Sequence, residues 1–159
     1  MDSRQKLFRV VLKGEDLRRL PVPLLWILIV PLGILLYWKG LRGGAVFDDI
    51  SVMGEWADFR WTWPYIQGRY RRLTLMSYAA QKDWPGAFLW LHVANVAIHG
   101  FGAAAAAQLA FALGASPSGA LLVGLIWFAH PYAVNTVGSI AGRAALLSGV
   151  LGFSGLALA

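Results

Sequence analysis

The sequence predicts an all-α integral membrane protein, a bundle of about four transmembrane helices with one long loop on the extracytoplasmic side. The chain has 159 residues, of which 58% are hydrophobic and only 14% are charged. Soluble domains carry about a quarter charged residues. The apolar residues are also grouped in long runs, which is typical of bilayer-spanning segments. We therefore expect a single transmembrane domain over residues 20–159.

The segment 1–19 is basic, with six Lys and Arg side chains against three carboxylates. Such a segment is typical of a cytoplasmic, interfacial end, because cations are retained on that side and contact anionic lipid headgroups. We expect the same contacts to explain the net charge of +6, without nucleic acid as a partner. The predicted location is the bacterial inner membrane or an equivalent membrane, with the N-terminus in the cytoplasm.

Four apolar stretches are predicted to be spans: 20–39, 86–113, 119–131 and 143–159. A helix rises 1.5 Å per residue, so about 20 residues cross the hydrocarbon layer. Gly100, Gly102 and the alanines at 103–107 predict close helix packing in the second span. His130 precedes Pro131, which predicts non-helical backbone at His130 and an end to the third span. Residues 132–142 are predicted to form a turn or a broken helix.

The polar segment 40–85 is the predicted extracytoplasmic loop, and it contains the adjacent carboxylates Asp48 and Asp49. Two carboxylates can bind a divalent cation or supply a general base. The alternative is a local one, in which an aspartate caps a short helix over residues 50–56. Arg71 and Arg72 form the basic part of the same loop.

Further polar side chains lie inside the apolar stretches. His92, Asn95 and His99 share one helical stripe, which predicts either interhelical hydrogen bonds or the lining of a cavity. His130 and Asn135 are predicted to line the same cavity. The histidines are also candidate axial ligands of a pigment or heme. Arg143 starts a predicted helix and is a candidate phosphate ligand, or an arginine that reaches lipid headgroups.

Five short patterns occur in order along the chain. They are Phe47-Asp48-Asp49, Arg71-Arg72-Leu73-Thr74, the stripe His92-x-x-Asn95-x-x-x-His99, His130-Pro131 and Gly142-Arg143-Ala144. Their order and spacing resemble the N-terminal membrane part of the TMTC-type family, transmembrane proteins with tetratricopeptide repeats that belong to the GT-C glycosyltransferases.

The resemblance implies an inverting glycosyltransferase that takes its sugar from a polyprenyl-phosphate donor at the extracytoplasmic face. It implies that Asp48 or Asp49 is the catalytic base or a metal ligand, and that Arg71, Arg72 and Arg143 bind phosphate. A divalent cation is the implied cofactor. The donor and membrane lipids are the implied partners.

The chain departs from the family pattern at three positions. Family members usually carry Glu where this chain has Asn135, and an acid where it has Ala145. Their usual Arg-Pro-Leu reads Arg71-Arg72-Leu73 in this chain. By itself the chain is therefore expected not to be catalytically complete. The alternative prediction is a non-catalytic accessory subunit that docks other transmembrane subunits of a larger complex.

Overall fold

The computed structural model describes residues 22–42, 48–57, 61–62 and 70–159, and within these residues all regular structure is helical. The basic segment 1–19 lies outside the described residues. The helices of the described part are α1 (Val22–Leu41), α2 (Asp48–Ala57), α3 (Arg72–Ala79), α4 (Ala87–Ala112), α5 (Pro117–Ala129), α6 (Ala133–Gly138) and α7 (Arg143–Leu158).

Helix α4 is the centre of the fold, since it contacts α1, α5, α6 and α7. Its buried side chains form the seam against which the other helices pack, and Ala103 and Leu91 are completely buried. One core cluster joins α1, α4, α5 and α7 through residues such as Val96, Phe128 and Leu146. A second cluster joins α3 to α4 and to the segment before α7. The candidate site lies between these two clusters.

Local sequence signals set several helix ends. Ser116 caps α5, because its side-chain oxygen accepts a hydrogen bond from the Gly119 N–H at 3.1 Å and Pro117 follows at the first helical position. His130 has extended backbone angles (φ −63°, ψ 128°) and ends α5. This confirms the prediction made from Pro131, whose ring excludes helical geometry at the preceding residue.

Small residues allow α4 and α5 to approach closely, as predicted. A Cβ atom added at Gly124 would lie 3.0 Å from the Ala103 carbonyl oxygen and 3.0 Å from the Ala107 Cβ. The contact is therefore backbone against backbone, which only residues without bulky side chains permit.

The prediction of four spans is wrong. Among the residues whose side chains are described, one helix, Ala87–Ala112, is long and apolar enough to cross a membrane. The apolar helices α5 and α7 have 13 and 16 residues. At 1.5 Å per residue they are only about 20 and 24 Å long, short of the roughly 30 Å hydrocarbon layer. The predicted stretches 119–131 and 143–159 were already this short, so apolar composition considered without helix length overestimated the number of spans.

The segment 40–85 was predicted as a loop, with a short helix over residues 50–56 as one alternative. It contributes that helix, as part of α2, and also α3. Helix α3 contacts both α2 and α7. Leu75, Tyr78 and Ala79 of α3 are buried against Leu91 and Ile140. The polar segment is thus part of the folded body and brings its charged residues to the start of α7.

Candidate functional site

The turn 139–142, between α6 and α7, organises the site. Its backbone passes so close to α6 that a Cβ atom on Gly142 would lie 1.9 Å from the Thr136 carbonyl oxygen. Only glycine fits there without moving the backbone. Charged or polar side chains from α2, α3 and α4 reach this turn and hold it, so its position depends on the whole fold.

Arg143 is the central polar residue and is completely buried. Its Nε donates to Asn95 Oδ1 at 2.8 Å, and its Nη2 donates to the Leu91 carbonyl oxygen at 2.8 Å. Its Nη1 donates to Gln81 Oε1 at 2.8 Å and to Ser77 Oγ at 3.2 Å. These four hydrogen bonds engage the guanidinium with the protein's own acceptors.

The Tyr78 ring also covers this guanidinium, whose carbon lies 4.5 Å from the ring centroid. Such a contact is a cation–π interaction. Burial lowers the pKa of Arg143 to about 10, and Tyr78 partly opposes this change. Arg143 is therefore cationic at neutral pH. Burial raises the pKa of Tyr78 to about 12, with the charge of Arg143 lowering it and that of Asp49 raising it. The phenol donates its proton to the Ile140 carbonyl oxygen.

Asp49 is buried and holds the other side of the same turn. Its Oδ1 accepts from Ser139 Oγ at 2.7 Å and from the Ala141 N–H at 2.8 Å. Asn95 adds a third contact, because its Nδ2 donates to the Ser139 carbonyl oxygen at 2.7 Å. The carboxylate therefore joins α2 to the turn across 90 residues of sequence.

Asp48 is in a different environment from its neighbour. It is exposed and lines an open polar cavity of about 490 Å³. Arg71 and Asn135, two further residues singled out in the sequence, line the same cavity. The remaining walls are mostly small and hydroxyl-bearing: Ser51, Val52, Thr136, Ser139, Ala141, Gly142 and Ala145. One carboxylate, one guanidinium, one amide and several hydroxyls thus face one space.

Arg71 is the only non-glycine residue of the described chain with a positive φ, at 54°. Left-handed backbone in a residue with a Cβ is strained and is found preferentially at functional sites. Arg71 immediately precedes α3 and is exposed beside the cavity. Arg72 is exposed at the first position of α3 and does not line this cavity.

A second cavity, of about 600 Å³, adjoins the polar one and is mainly apolar. Its walls include His99 and Gly102 of α4, Trp127 of α5 and Leu146 of α7. His130 is also in its wall, where its Nδ1 accepts a hydrogen bond from the Tyr132 N–H at 3.2 Å. Thr136 and Ala145 line both cavities.

The stripe His92, Asn95 and His99 is buried along its length. Asn95 and His99 make hydrogen bonds to other segments, which was the first of the two predicted roles. Asn95 Nδ2 donates to the Ser139 carbonyl oxygen, and His99 Nε2 lies 3.1 Å from the Phe128 carbonyl oxygen. His99 also belongs to the second alternative, because it lines the apolar cavity. The stripe thus combines interhelical hydrogen bonds at Asn95 and His99 with a cavity-lining position at His99.

The metal-binding prediction concerned Asp48 and Asp49. No group of three His, Cys, Asp or Glu side chains that could hold a metal ion occurs in the described part of the chain. Asp49 Oδ1 accepts hydrogen bonds from Ser139 Oγ and from the Ala141 N–H. These two carboxylates have no third ligand of those residue types among the described residues.

Several residues of the site were missed by sequence analysis: Ser77, Tyr78, Gln81, Ser139 and Thr136. Ser77 lies in α3 and Gln81 in the turn that follows it, so helical spacing does not group them. Nothing local to them indicates Arg143 as their partner. Ser139 and Thr136 lie in the segment predicted as a turn, where hydroxyl residues are common and carry little information.

Comparisons with known proteins gave no match. No family model matches the chain, and neither a curated protein nor a solved structure is similar to it. The geometry of the two cavities is therefore the main basis for a functional assignment.

Proposed function

We propose that the chain is the N-terminal part of a GT-C-like membrane glycosyltransferase, which uses a polyprenyl-phosphate-linked sugar at the extracytoplasmic face. The observation that carries the proposal is the polar cavity in which Asp48, Arg71 and Asn135 meet. The candidate membrane helix α4 supports membrane association. The resemblance of the five sequence patterns to the TMTC-type family supports the choice of reaction.

The geometry favours Asp48 over Asp49 as the base. A base must reach the acceptor hydroxyl, and Asp48 is exposed in the cavity whereas Asp49 is buried against the turn. Proton removal by Asp48 would make the hydroxyl a better nucleophile toward the anomeric carbon. Asp49 has the separate task of holding Ser139, which forms part of the cavity wall.

Arg71 is the phosphate ligand in this proposal. An exposed guanidinium can make two parallel hydrogen bonds to a phosphate and stabilise the charge that develops on the leaving group. Arg143 is buried and engaged with four protein acceptors, so its task is to position the cavity wall. Asn135 and the hydroxyls of Ser51 and Thr136 are suited to the sugar's hydroxyl groups.

The test is sugar transfer by the protein in its native membrane, with tritiated polyprenyl-phosphate glucose and polyprenyl-phosphate mannose as donors. Asp48→Asn should lower the rate by about 10²–10⁴-fold, the range for loss of a general base. Arg71→Gln should raise the KM for the donor and also lower kcat, because it removes both a phosphate ligand and the charge that stabilises the leaving group. Unchanged transfer in Asp48→Asn, in Asp49→Asn and in the double variant would refute the proposal.

A non-catalytic accessory subunit is the second candidate. The observation that favours it is that two of the charged residues predicted to act on substrate, Asp49 and Arg143, are buried and hold the fold. The cavity also has an amide at Asn135 in place of a third charged group. Purification in a mild detergent distinguishes the two: a stoichiometric complex without bound polyprenyl phosphate favours the accessory subunit, and a solitary protein with the bound lipid favours the enzyme.

A further inference from the structure

We infer that the apolar cavity is a binding site for a neutral phenol of one or two rings, whose hydroxyl group donates a hydrogen bond to His99 Nδ1. The cavity has a volume of about 600 Å³ and lies between α4, α5, α6 and α7. Sites for small molecules span about 300–1,000 Å³. The inference uses neither Asp48 nor Arg71, so it stands apart from the proposed sugar transfer.

The first observation is the orientation of the His99 ring. The residue is only 4% exposed, and its Nε2 lies 3.1 Å from the Phe128 carbonyl oxygen. A carbonyl oxygen can only accept a hydrogen bond, so Nε2 carries a proton. A charged imidazole is unfavourable in apolar surroundings, and the neutral ring then has a lone pair at Nδ1. His99 therefore retains one hydrogen-bond acceptor.

His99 Nδ1 has no hydrogen-bond partner among the residues that the structure describes. The other contacts of the ring are with aromatic side chains. It stacks on Phe128 with 5.3 Å between the ring centroids, and it meets Tyr37 edge-on at 5.9 Å. Neither contact satisfies Nδ1. Because His99 lines the apolar cavity, a hydroxyl group on a molecule in that cavity supplies the missing donor.

The second observation is the character of the walls. No carboxylate, lysine or arginine is among the described residues that line the cavity, so the walls favour a neutral ligand. Trp127 and Tyr132 lie in the wall and are 43% and 85% exposed, which leaves ring surface for an aromatic ligand. His130 is less suited than His99 as the acceptor, because its Nδ1 already accepts from the Tyr132 N–H.

Two glycines of α7 provide a matched pair of variants. Gly149 lines the cavity and Gly152 does not. A Cβ atom added at either position meets nothing within 4 Å. Gly149→Phe should therefore fill the cavity, whereas Gly152→Phe places the same side chain outside it. Both variants change helix propensity by the same amount, so any difference between them reports on the cavity.

Bromonaphthol is the probe, and its methyl ether, which has no hydroxyl donor, is the control. Each compound is titrated into the protein in nanodiscs, and its concentration is corrected for partition into empty nanodiscs. Bromine quenches tryptophan fluorescence on contact, and the Trp127 signal is the difference between each protein and its Trp127→Phe counterpart. We expect half-quenching by bromonaphthol at a concentration about tenfold lower than by the ether, because a neutral hydrogen bond corresponds to about one factor of ten in affinity.

His99→Phe tests the acceptor. It keeps a ring at this position, and the Phe128 carbonyl oxygen keeps its hydrogen bond from the Tyr37 hydroxyl at 2.7 Å. The variant should bind the phenol and the ether equally. In the natural protein, the nitrogen NMR signal of His99 Nδ1 should shift on addition of the phenol and stay unchanged with the ether, which tests the same contact even if His99→Phe does not fold.

Gly149→Phe should abolish saturable quenching by both compounds, and Gly152→Phe should behave as the natural protein does. Gly149→Leu replaces Gly149→Phe if the larger side chain prevents folding. Equal half-quenching by the phenol and the ether in the natural protein would mean that bulk lipid or detergent chains fill the cavity, and would overturn the inference. A tenfold preference that persists in His99→Phe, or saturable quenching that persists in both Gly149 variants, would also overturn it.

Discussion

Replacement of Arg143 by methionine tests whether this buried cation organises the turn 139–142. Methionine has a similar length and no donors, so the change leaves the fully buried acceptor Asn95 Oδ1 without its partner, whereas the Leu91 carbonyl oxygen keeps its hydrogen bond within α4. An unsatisfied buried acceptor costs about 1–3 kcal/mol. Removal of the cation also avoids its desolvation, which offsets part of the loss.

We therefore expect Arg143→Met to lower the free energy of unfolding by about 2 kcal/mol, the middle of the range for one acceptor. For a chain of this size 1 kcal/mol corresponds to about 2–4 °C in Tm, so the shift should be roughly 4–8 °C. The assay is thermal unfolding in a mild detergent, followed by circular dichroism. Arg143→Lys keeps the charge but has three donors and no planar guanidinium group. Its Tm should therefore lie between those of the natural protein and Arg143→Met.

Arg42→Met is the matched control, because Arg42 is exposed and its main contact is a cation–π interaction with Trp38 at 4.3 Å. An exposed contact of this kind contributes about 0.5–1 kcal/mol. If Arg143→Met shifts Tm no more than Arg42→Met does, Arg143 does not hold the turn and the positioning role assigned to it is refuted.

Two further predictions concern the same turn. Gly142→Ala should destabilise the protein by about 2 kcal/mol or more, because overpacking of this kind costs about 1–3 kcal/mol even without a backbone clash. Gly138→Ala is the control, because the added Cβ meets nothing within 4 Å. It should be neutral or slightly stabilising in the same unfolding assay. The raised pKa of Tyr78, about 12 instead of 10, means that the folded protein holds its phenolic proton longer than the unfolded chain does. Its contribution to stability is complete below pH 10 and is lost as the pH rises toward 12. In the tyrosinate absorbance titration, Tyr78→Phe should remove one late-titrating tyrosine, and an identical titration curve in Tyr78→Phe would contradict the burial of this phenol.

Much of the local structure could be predicted from the sequence. Pro131 predicted the end of α5 at His130, and the small residues of α4 predicted its close contact with Gly124. These signals act over a few residues: a proline ring excludes helical geometry next to it, and a missing side chain permits close approach whatever the partner. The same reasoning gave the approximate positions of α4, α5 and α7.

Hydropathy was a poorer guide to the number of spans. It measures composition but not helix length, and the apolar segments 119–131 and 143–159 are, like α5 and α7, shorter than the roughly 20 residues that a span requires. Their ends are set by the backbone at His130 and at the turn 139–142. The latter depends on contacts with Asp49 and Asn95, which lie far away in sequence.

The sequence by itself determined which residues are candidates for chemistry, since carboxylates, guanidiniums and imidazoles in an apolar chain are few. Only the tertiary structure decided what each of them does. Asp48 and Asp49 are adjacent, but neighbouring side chains in a helix point about 100° apart. The packing of α3 and α7 buries Asp49 against Ser139 and leaves Asp48 in the polar cavity. Arg143 was predicted to face a phosphate, and it faces inward because Asn95 and Leu91 of α4 supply its acceptors. These hydrogen-bond partners depend on how the helices pack against one another, which no local sequence pattern encodes.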